Sequence, residues 1–365
     1  MNFIIESNNI TDGFYSILNY MYRNGVVSHV KDFDYLEVYP IAVQVNNPKE
    51  RCLLIPKRYN NIIGTIAETL WVIGGRNDLE YLSNYLPRAS DFSDDGKTWR
   101  GAYGPRIMNW NGINQFKNCI KALRENPNTA RACITIFDPS KDNEPNIIDI
   151  PCNNWIQFYI ENNKLCMNVT LRANDLIWGF SGINFFEWTV LQEMASFWLG
   201  LDVGKYNHFV GNMIIFERHF PRSKKILETQ IDNDVYSVFN NLNPLPVDVQ
   251  EELFEEDFNK FFEIEKLFTK NQLNYKDIKY KIPLINSKFL KYCLCLMISY
   301  ISFKEEKYDQ FLEIMTGLET NVYKICALEY FIRYIRKNGD LEFIEKSLLK
   351  YEEENVITFI NNILK

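Results

Sequence analysis

Residues 150–175 read IPCNNWIQFYIENNKLCMNVTLRAND, and residues 176–201 continue LIWGFSGINFFEWTVLQEMASFWLGL. The first part is rich in aromatic and β-branched residues on either side of a polar Glu-Asn-Asn segment. That pattern predicts a strand, a turn and a second strand. Cys152 sits beside Pro151 at the start of the first strand. The second strand ends in an Arg-Ala-Asn-Asp cluster, followed by a loop containing Gly and Asn. That loop opens an amphipathic helix whose apolar residues recur at helical spacing until Gly200. A thiol, a guanidinium and side-chain amides close along the chain supply a nucleophile, an anion clamp and a base reader. This is what is needed to activate a flat heterocycle carrying a phosphate.

Outward from this stretch, YPIAVQV (39–45) and ARACITIFD (130–138) read as strands. IIGTIAETLWVIGG (62–75) reads as a buried helix with a glycine stop, and RNDLEYLSNYL (76–86) as a second short helix. DFSDDGKTWRGAYGPR (91–106) is aperiodic, and a loop that groups Trp99, Tyr103 and Arg106 is more than a spacer. After Pro244 and Pro246 the texture changes to Glu, Lys, Leu, Ile and Phe at helical period with almost no glycine. The expected fold is therefore α/β (α+β). A mixed or mostly antiparallel sheet is backed by a long central helix over residues 1–240, and an all-helical domain follows over 248–365.

Composition narrows the function. A chain of 365 residues with 46% hydrophobic and 15% aromatic residues can bury a large core. A formal net charge of -7 argues against a general binder of nucleic acid, though not against one phosphate held by a few arginines. The eight cysteines (52, 119, 133, 152, 166, 293, 295 and 326) form no CxxC pair and no disulfide spacing, so reduced thiols and a cytoplasmic setting are expected. Cys293 and Cys295 lie in an apolar stretch and read as small buried hydrophobes. No metal-ligand pattern is expected. Neither a signal peptide nor a membrane-spanning run of about 18 apolar residues is expected.

Cys152 has two readings. An arbitrary cysteine is a buried structural thiol, whereas one at a polar strand edge near Arg172 and Arg131 suits a reactive thiolate. The ordered set PCNN, IQFYI, LRANDLIWGF, SGIN and GLDVGKYNHFVGN, with AETLWVIGGRNDLEYL and GAYGPRI upstream, resembles the thymidylate synthase family over residues 45–220. The resemblance implies one-carbon transfer from 5,10-methylenetetrahydrofolate to C5 of a pyrimidine nucleoside monophosphate, in a homodimer.

It also implies roles. Cys152 would add to C6 of the ring. Glu68, set among Ile66, Ala67, Leu70 and Trp71, would handle protons. Tyr103 would complete the catalytic group. Arg172 would grip the phosphate, with Arg131 reaching across the dimer, and Arg51 and Arg58 adding charge. Asp175 would contact the folate, Trp99 would line its cleft, and Asn184 would read N3 and O4 of uracil.

Departures from the family pattern are Ala173 in place of the serine after the arginine, Asn153 in place of the histidine after the cysteine, and Ile214 and Phe216 in place of the sugar-binding histidine and tyrosine. A C-terminal tail to close over the folate is not found. Methylation and hydroxymethylation both stay open, as do a CMP, dCMP or ribonucleotide hydroxymethylase and a degenerate nucleotide-binding partner protein.

Overall fold

The computed structural model describes residues 4–30, 33–229, 234–239, 245–339 and 341–365. Within them eight strands form one mixed sheet: β1 (Ile4–Ser7), β2 (Val26–Val30), β3 (Phe33–Val38), β4 (Ile41–Val45), β5 (Cys133–Thr135), β6 (Asn153–Glu161), β7 (Lys164–Asp175) and β8 (Asp202–Phe216). Their order is β1-β4-β8-β7-β6-β5, with β3 also on β8 and β2 on β3. The β1/β4 and β7/β8 pairs are parallel and the others antiparallel.

The quoted stretch folds for local reasons. Only Asn162 and Asn163 separate β6 from β7, and both have positive φ, 51° and 59°. Asn tolerates the left-handed region, and two such residues match the twist of a tight hairpin. Returning to a parallel neighbour needs a crossover, and the helix Phe185–Leu199 supplies it between β7 and β8. This helix ends at Gly200, which is left-handed at φ 67° and donates its N–H to Phe197 O. Gln192 Nε2 ties the helix to the sheet through the carbonyls of Leu165 (2.9 Å) and Gly204 (3.2 Å).

Three local expectations are corrected. The central helix is not amphipathic: every residue from Phe185 to Trp198 is buried except Phe197. Its apolar side chains extend round the whole barrel, which is the pattern of a helix covered on all sides. The GFSGIN segment is not a loop either. Leu176–Asn184 is π-helical, started by Asp175 Oδ1, which accepts from Ile177 N and Trp178 N at 2.6 and 2.8 Å. Of residues 76–86, only Leu79–Leu82 are helical, capped by Asp78.

The opposite face of the sheet carries a ladder of amides. Gln44 donates to Asn207, Asn207 to Asn168, and Gln157 accepts from Asn168 while donating to Ala130 O, each at 2.9–3.0 Å.

The chain divides into two compact units, Met1–Leu53 with Glu68–Gln230, and Leu54–Ala67 with Ile231–Lys365. The second is helical, with long helices at Phe254–Thr269, Lys288–Lys304 and Val322–Asn338. Asp248 and Asp257 cap its second long helix by accepting from the backbone of Ser287, Lys288 and Phe289. Lys324 pairs with Glu352 at 2.6 Å, both side chains buried. The boundary differs from the one read in sequence: residues 54–67 cluster with the helical unit, where Arg333 donates to Asn60 O. Pro244 lies outside the described residues.

Candidate active site

A cleft of about 200 Å³ opens in the first unit where β6 and β7 meet the π-helical turn. Cys152, Glu68, Tyr103, Asp175, Asn184 and Trp99 all line it. Cys152 is held by its neighbours. Its carbonyl accepts from Arg172 N, and the Arg172 guanidinium donates to the carbonyls of Pro151 (3.0 Å) and Ile150 (2.9 Å). Arg172 thus fixes the segment that presents the thiol, and its exposed side chain is not among the residues that line the cleft. Burial pushes the Cys152 thiol up, Arg172 pulls it down, and Asp149 pushes it up again. Burial wins, so the resting residue is a thiol.

Asp149 was not singled out in the sequence. It lines the cleft and accepts from Gly101 N at 3.0 Å. A Cβ at Gly101 would lie 2.6 Å from that carboxylate, so only glycine allows the approach. Burial raises the Asp149 pKa. Its signal was a carboxylate two residues before Pro151.

Glu68 projects from the helix Ile62–Ile73 and is 8% exposed. Burial first, then Asp149, raises its pKa to about 8. Behind it Glu187, on the central helix, is fully buried, and neither of its carboxylate oxygens has a hydrogen-bond partner among the described residues. Burial and then Glu68 push Glu187 well above the carboxylate range. Two carboxyls this close in an apolar setting hold their protons at neutral pH. The sequence signal for Glu187 was a lone acid in the apolar run FFEWTVL. Tyr103 is also kept protonated by burial, with Cys152 and Glu187 adding to the effect. Its hydroxyl accepts from Asn153 N at 3.4 Å, and its ring stacks on Trp188 at 5.3 Å.

Asn184 is 8% exposed at the junction of the π-helical turn and the central helix. Its Oδ1 accepts from Asn174 Nδ2 at 3.1 Å. Aromatic walls come from Trp71, Phe92, Trp99 and Trp178, a set suited to a flat heterocycle. Of these, Trp71, Phe92 and Trp178, together with Asn174, were not assigned a site role from the sequence.

Four arginines stand elsewhere. Arg51 does not line the cleft: its buried guanidinium pairs with Glu193 and donates to Thr189 Oγ1 at 3.1 Å, both on the central helix. A guanidinium engaged in this way and closed off from solvent is not presented to a phosphate, which corrects the expectation for Arg51. Arg58 is buried in the second unit, where it lowers the pKa of Glu329. Arg131 is exposed just before β5 and lies outside the cleft lining. Arg106, in the loop that groups Trp99 and Tyr103, forms a buried fork on Asp142 at 2.6 and 2.8 Å. Ile214 stands beside Asp175 in the β7/β8 register and Phe216 beside Tyr35, and neither lines the cleft.

No group of three or more His, Cys, Asp or Glu is placed to hold a metal among the described residues. No helix among them is long and apolar enough to cross a membrane.

Several known proteins are similar to this chain in sequence. A "Deoxyuridylate hydroxymethyltransferase" of Delftia phage PhiW-14 is 38% identical over 177 residues, 46% of this chain and 49% of that protein. One of the same name from Bacillus phage SP01 is 30% identical over 217 residues, 56% of this chain and 57% of that protein. A "Thymidylate synthase" of Mycoplasma genitalium is 29% identical over 145 residues, 40% of this chain and 48% of that protein. The chain spans about half the length of the curated relatives it matches. The family model described as thymidylate synthase matches residues 15–266. That match covers more than half of the chain, and the chain belongs to the thymidylate synthase family.

Proposed function

We infer that this chain transfers a one-carbon unit to C5 of a uracil nucleoside monophosphate through a covalent adduct of Cys152. The observation that carries the reading is the convergence of Cys152, Glu68, Tyr103 and Asn184 on one small, aromatic-walled cleft. Addition of the Cys152 sulfur to C6 breaks the C5–C6 double bond and makes C5 a carbon nucleophile. The thiol gives up its proton as the sulfur adds; once C5 has taken up the one-carbon unit, loss of the C5 hydrogen as a proton expels the sulfur and restores the C5–C6 double bond. Glu68, protonated near neutral pH, donates toward the C4 oxygen where negative charge develops. Tyr103, also protonated, holds its hydroxyl against the backbone of Asn153 beside the nucleophile. Arg172 keeps the cysteine segment in place and offers its outer edge to the phosphate. Arg131, exposed at the sheet edge, reaches the phosphate of a partner protomer across a homodimer interface built on the amide-ladder face.

Methylenetetrahydrofolate, when bound, supplies the one-carbon unit. The apolar walls of Phe92, Trp99 and Trp178 with Asp175 at their edge fit a flat pterin that carries polar atoms on its rim. The names of the phage relatives favour hydroxymethyl as the product. The eight free cysteines suit a reducing cytoplasm, and a net charge of -7 suits a nucleotide better than a nucleic acid.

The test is tritium release from [5-³H]dUMP with methylenetetrahydrofolate, followed by product mass. Release with a gain of CH₂O is expected. A gain of CH₂ would make the product methyl, and no release from wild-type protein would overturn the reading.

A further inference from the structure

Behind Asn184 runs a buried chain of polar groups. Asn174 Nδ2 donates to Asn184 Oδ1 at 3.1 Å and lies 3.3 Å from His208 Nε2, to which it donates in the tautomer that carries the ring proton on Nδ1. His208 Nδ1 lies 2.7 Å from the Tyr206 hydroxyl. All four residues are buried, on β7, on β8 and at the start of the central helix. Only Asn184 and Asn174 reach the cleft. Phe180 holds the imidazole from the side, its ring centroid 4.9 Å away.

We propose that Asn174 and His208, backed by Tyr206, are positioning residues for base selectivity, because they fix which way round the Asn184 amide faces the pyrimidine. This rests on the uracil-nucleotide reading above. An amide can read uracil or cytosine, since the order of donor and acceptor at N3 and C4 is reversed between the two bases. Selectivity therefore depends on preventing the amide from turning over, and the chain of donors does so.

With the imidazole proton on Nδ1, both hydrogens of Asn174 Nδ2 are committed, one to Asn184 Oδ1 and one to His208 Nε2. If Asn184 turned over, its own N–H₂ would face that of Asn174, donor against donor, in a buried site. If Asn174 turned over instead, its oxygen would meet the unprotonated Nε2, acceptor against acceptor. His208 keeps Nε2 unprotonated so long as its single ring proton is on Nδ1, donated to the Tyr206 oxygen. Burial supports this by pushing the His208 pKa down to about 3, so the ring carries one proton and not two.

Gly179 makes the close pairing of the amides sterically possible. Asn174 Oδ1 is buried without a hydrogen-bond partner among the described residues, and a Cβ at position 179 would lie 2.1 Å from it and 3.2 Å from Asn184 Oδ1. Only glycine leaves room for the paired amides.

The experiment measures kcat/KM for [5-³H]dUMP and [5-³H]dCMP in the tritium-release assay with full-length protein. The variants are His208→Phe, His208→Gln and Tyr206→Phe. Wild type is expected to favour dUMP. In His208→Phe the acceptor for Asn174 is gone, and the dUMP/dCMP ratio should fall at least tenfold. In His208→Gln the side-chain oxygen can still accept from Asn174, and the ratio should recover at least partly. Tyr206→Phe, which frees the imidazole proton to move, should fall between wild type and His208→Phe. Urea midpoints identify variants that fail to fold. Should His208→Phe be unstable, the comparison of Tyr206→Phe with wild type carries the test alone.

A purely structural role would lower both substrates together and leave the ratio unchanged. A ratio within twofold of wild type in a folded His208→Phe or Tyr206→Phe protein overturns the inference. Absence of tritium release from wild type with either nucleotide overturns instead the function on which it rests.

Discussion

Replacing Glu68 by glutamine removes the ionisation of a buried acid while keeping its shape, and the stability gained should depend on pH in a defined way. The Glu68 pKa rises from 4.5 to about 8 in the folded protein, chiefly by burial and then by Asp149. The fold therefore holds this proton more tightly than the unfolded chain does. The stability contributed by the protonated side chain is full below about pH 4.5 and is lost as pH rises through about 8. Each tenfold change in proton affinity is worth about 1.4 kcal/mol, so the complete loss is on the order of 5 kcal/mol. Glutamine cannot ionise and escapes it. Any fixed cost of seating its amide where Glu68 Oε2 has no partner among the described residues is the same at every pH. The assay is urea unfolding of substrate-free wild type and Glu68→Gln at half-unit steps from pH 4.5 to 9, with matched m-values. The difference in stability should climb in favour of the variant by about 2–5 kcal/mol across that window. A flat difference, or one that turns against glutamine as pH rises, would refute the account of Glu68 as a protonated acid.

Three further outcomes are expected. Cys152→Ala should abolish tritium release yet bind nucleotide within about tenfold of wild type, because the thiol forms a transient bond and adds little in the ground state; isothermal titration with dUMP checks the binding half. Arg106→Leu should cost about 3–5 kcal/mol in urea unfolding, since it leaves Asp142 charged and buried without its fork, and a loss below about 1 kcal/mol would contradict that role. Arg131→Glu should leave the urea midpoint of the chain nearly unchanged but raise KM for dUMP at least tenfold with kcat retained; an unchanged KM would remove it from the phosphate site.

What could be read from the sequence was governed by separation along the chain. The β6–β7 hairpin was legible because its two-residue turn carries Asn at both positive-φ positions. Cys152 and Arg172 were legible because one strand turn brings them together, and the backbone bond from Arg172 to Cys152 is a consequence of that pairing. Arg51 was misread because its partners, Thr189 and Glu193, lie well over a hundred residues away on the central helix. Nothing in NPKERCLLIPKR distinguishes a guanidinium aimed at an internal carboxylate from one aimed at a phosphate. Residues 54–67 look continuous with the first unit in sequence, because the helix Ile62–Ile73 runs unbroken through the position where the clustering of contacts changes.

Asn184 shows how a residue can be legible while its placement is not. The sequence from Asp175 to Asn184 reads as a loop, and a loop does not fix which way the amide at its end faces. The π-helical winding resolves it. Phe185 N–H reaches back to Phe180 O, five residues earlier, so each turn takes up one residue more than an α-helix would. Asp175 starts the wide turn and Gly179 allows Asn174 to close against it. The excess is absorbed before the central helix begins, and Asn184 comes round to the cleft at its first turn. Shortening Leu176–Asn184 by one residue would relieve the wide turn but rotate the amide by roughly 100° about the helix axis. Such a deletion should therefore cost catalysis far more than stability, with tritium release from dUMP lost in a protein whose urea midpoint stays near wild type. Retained release would mean that the amide is not read from this position.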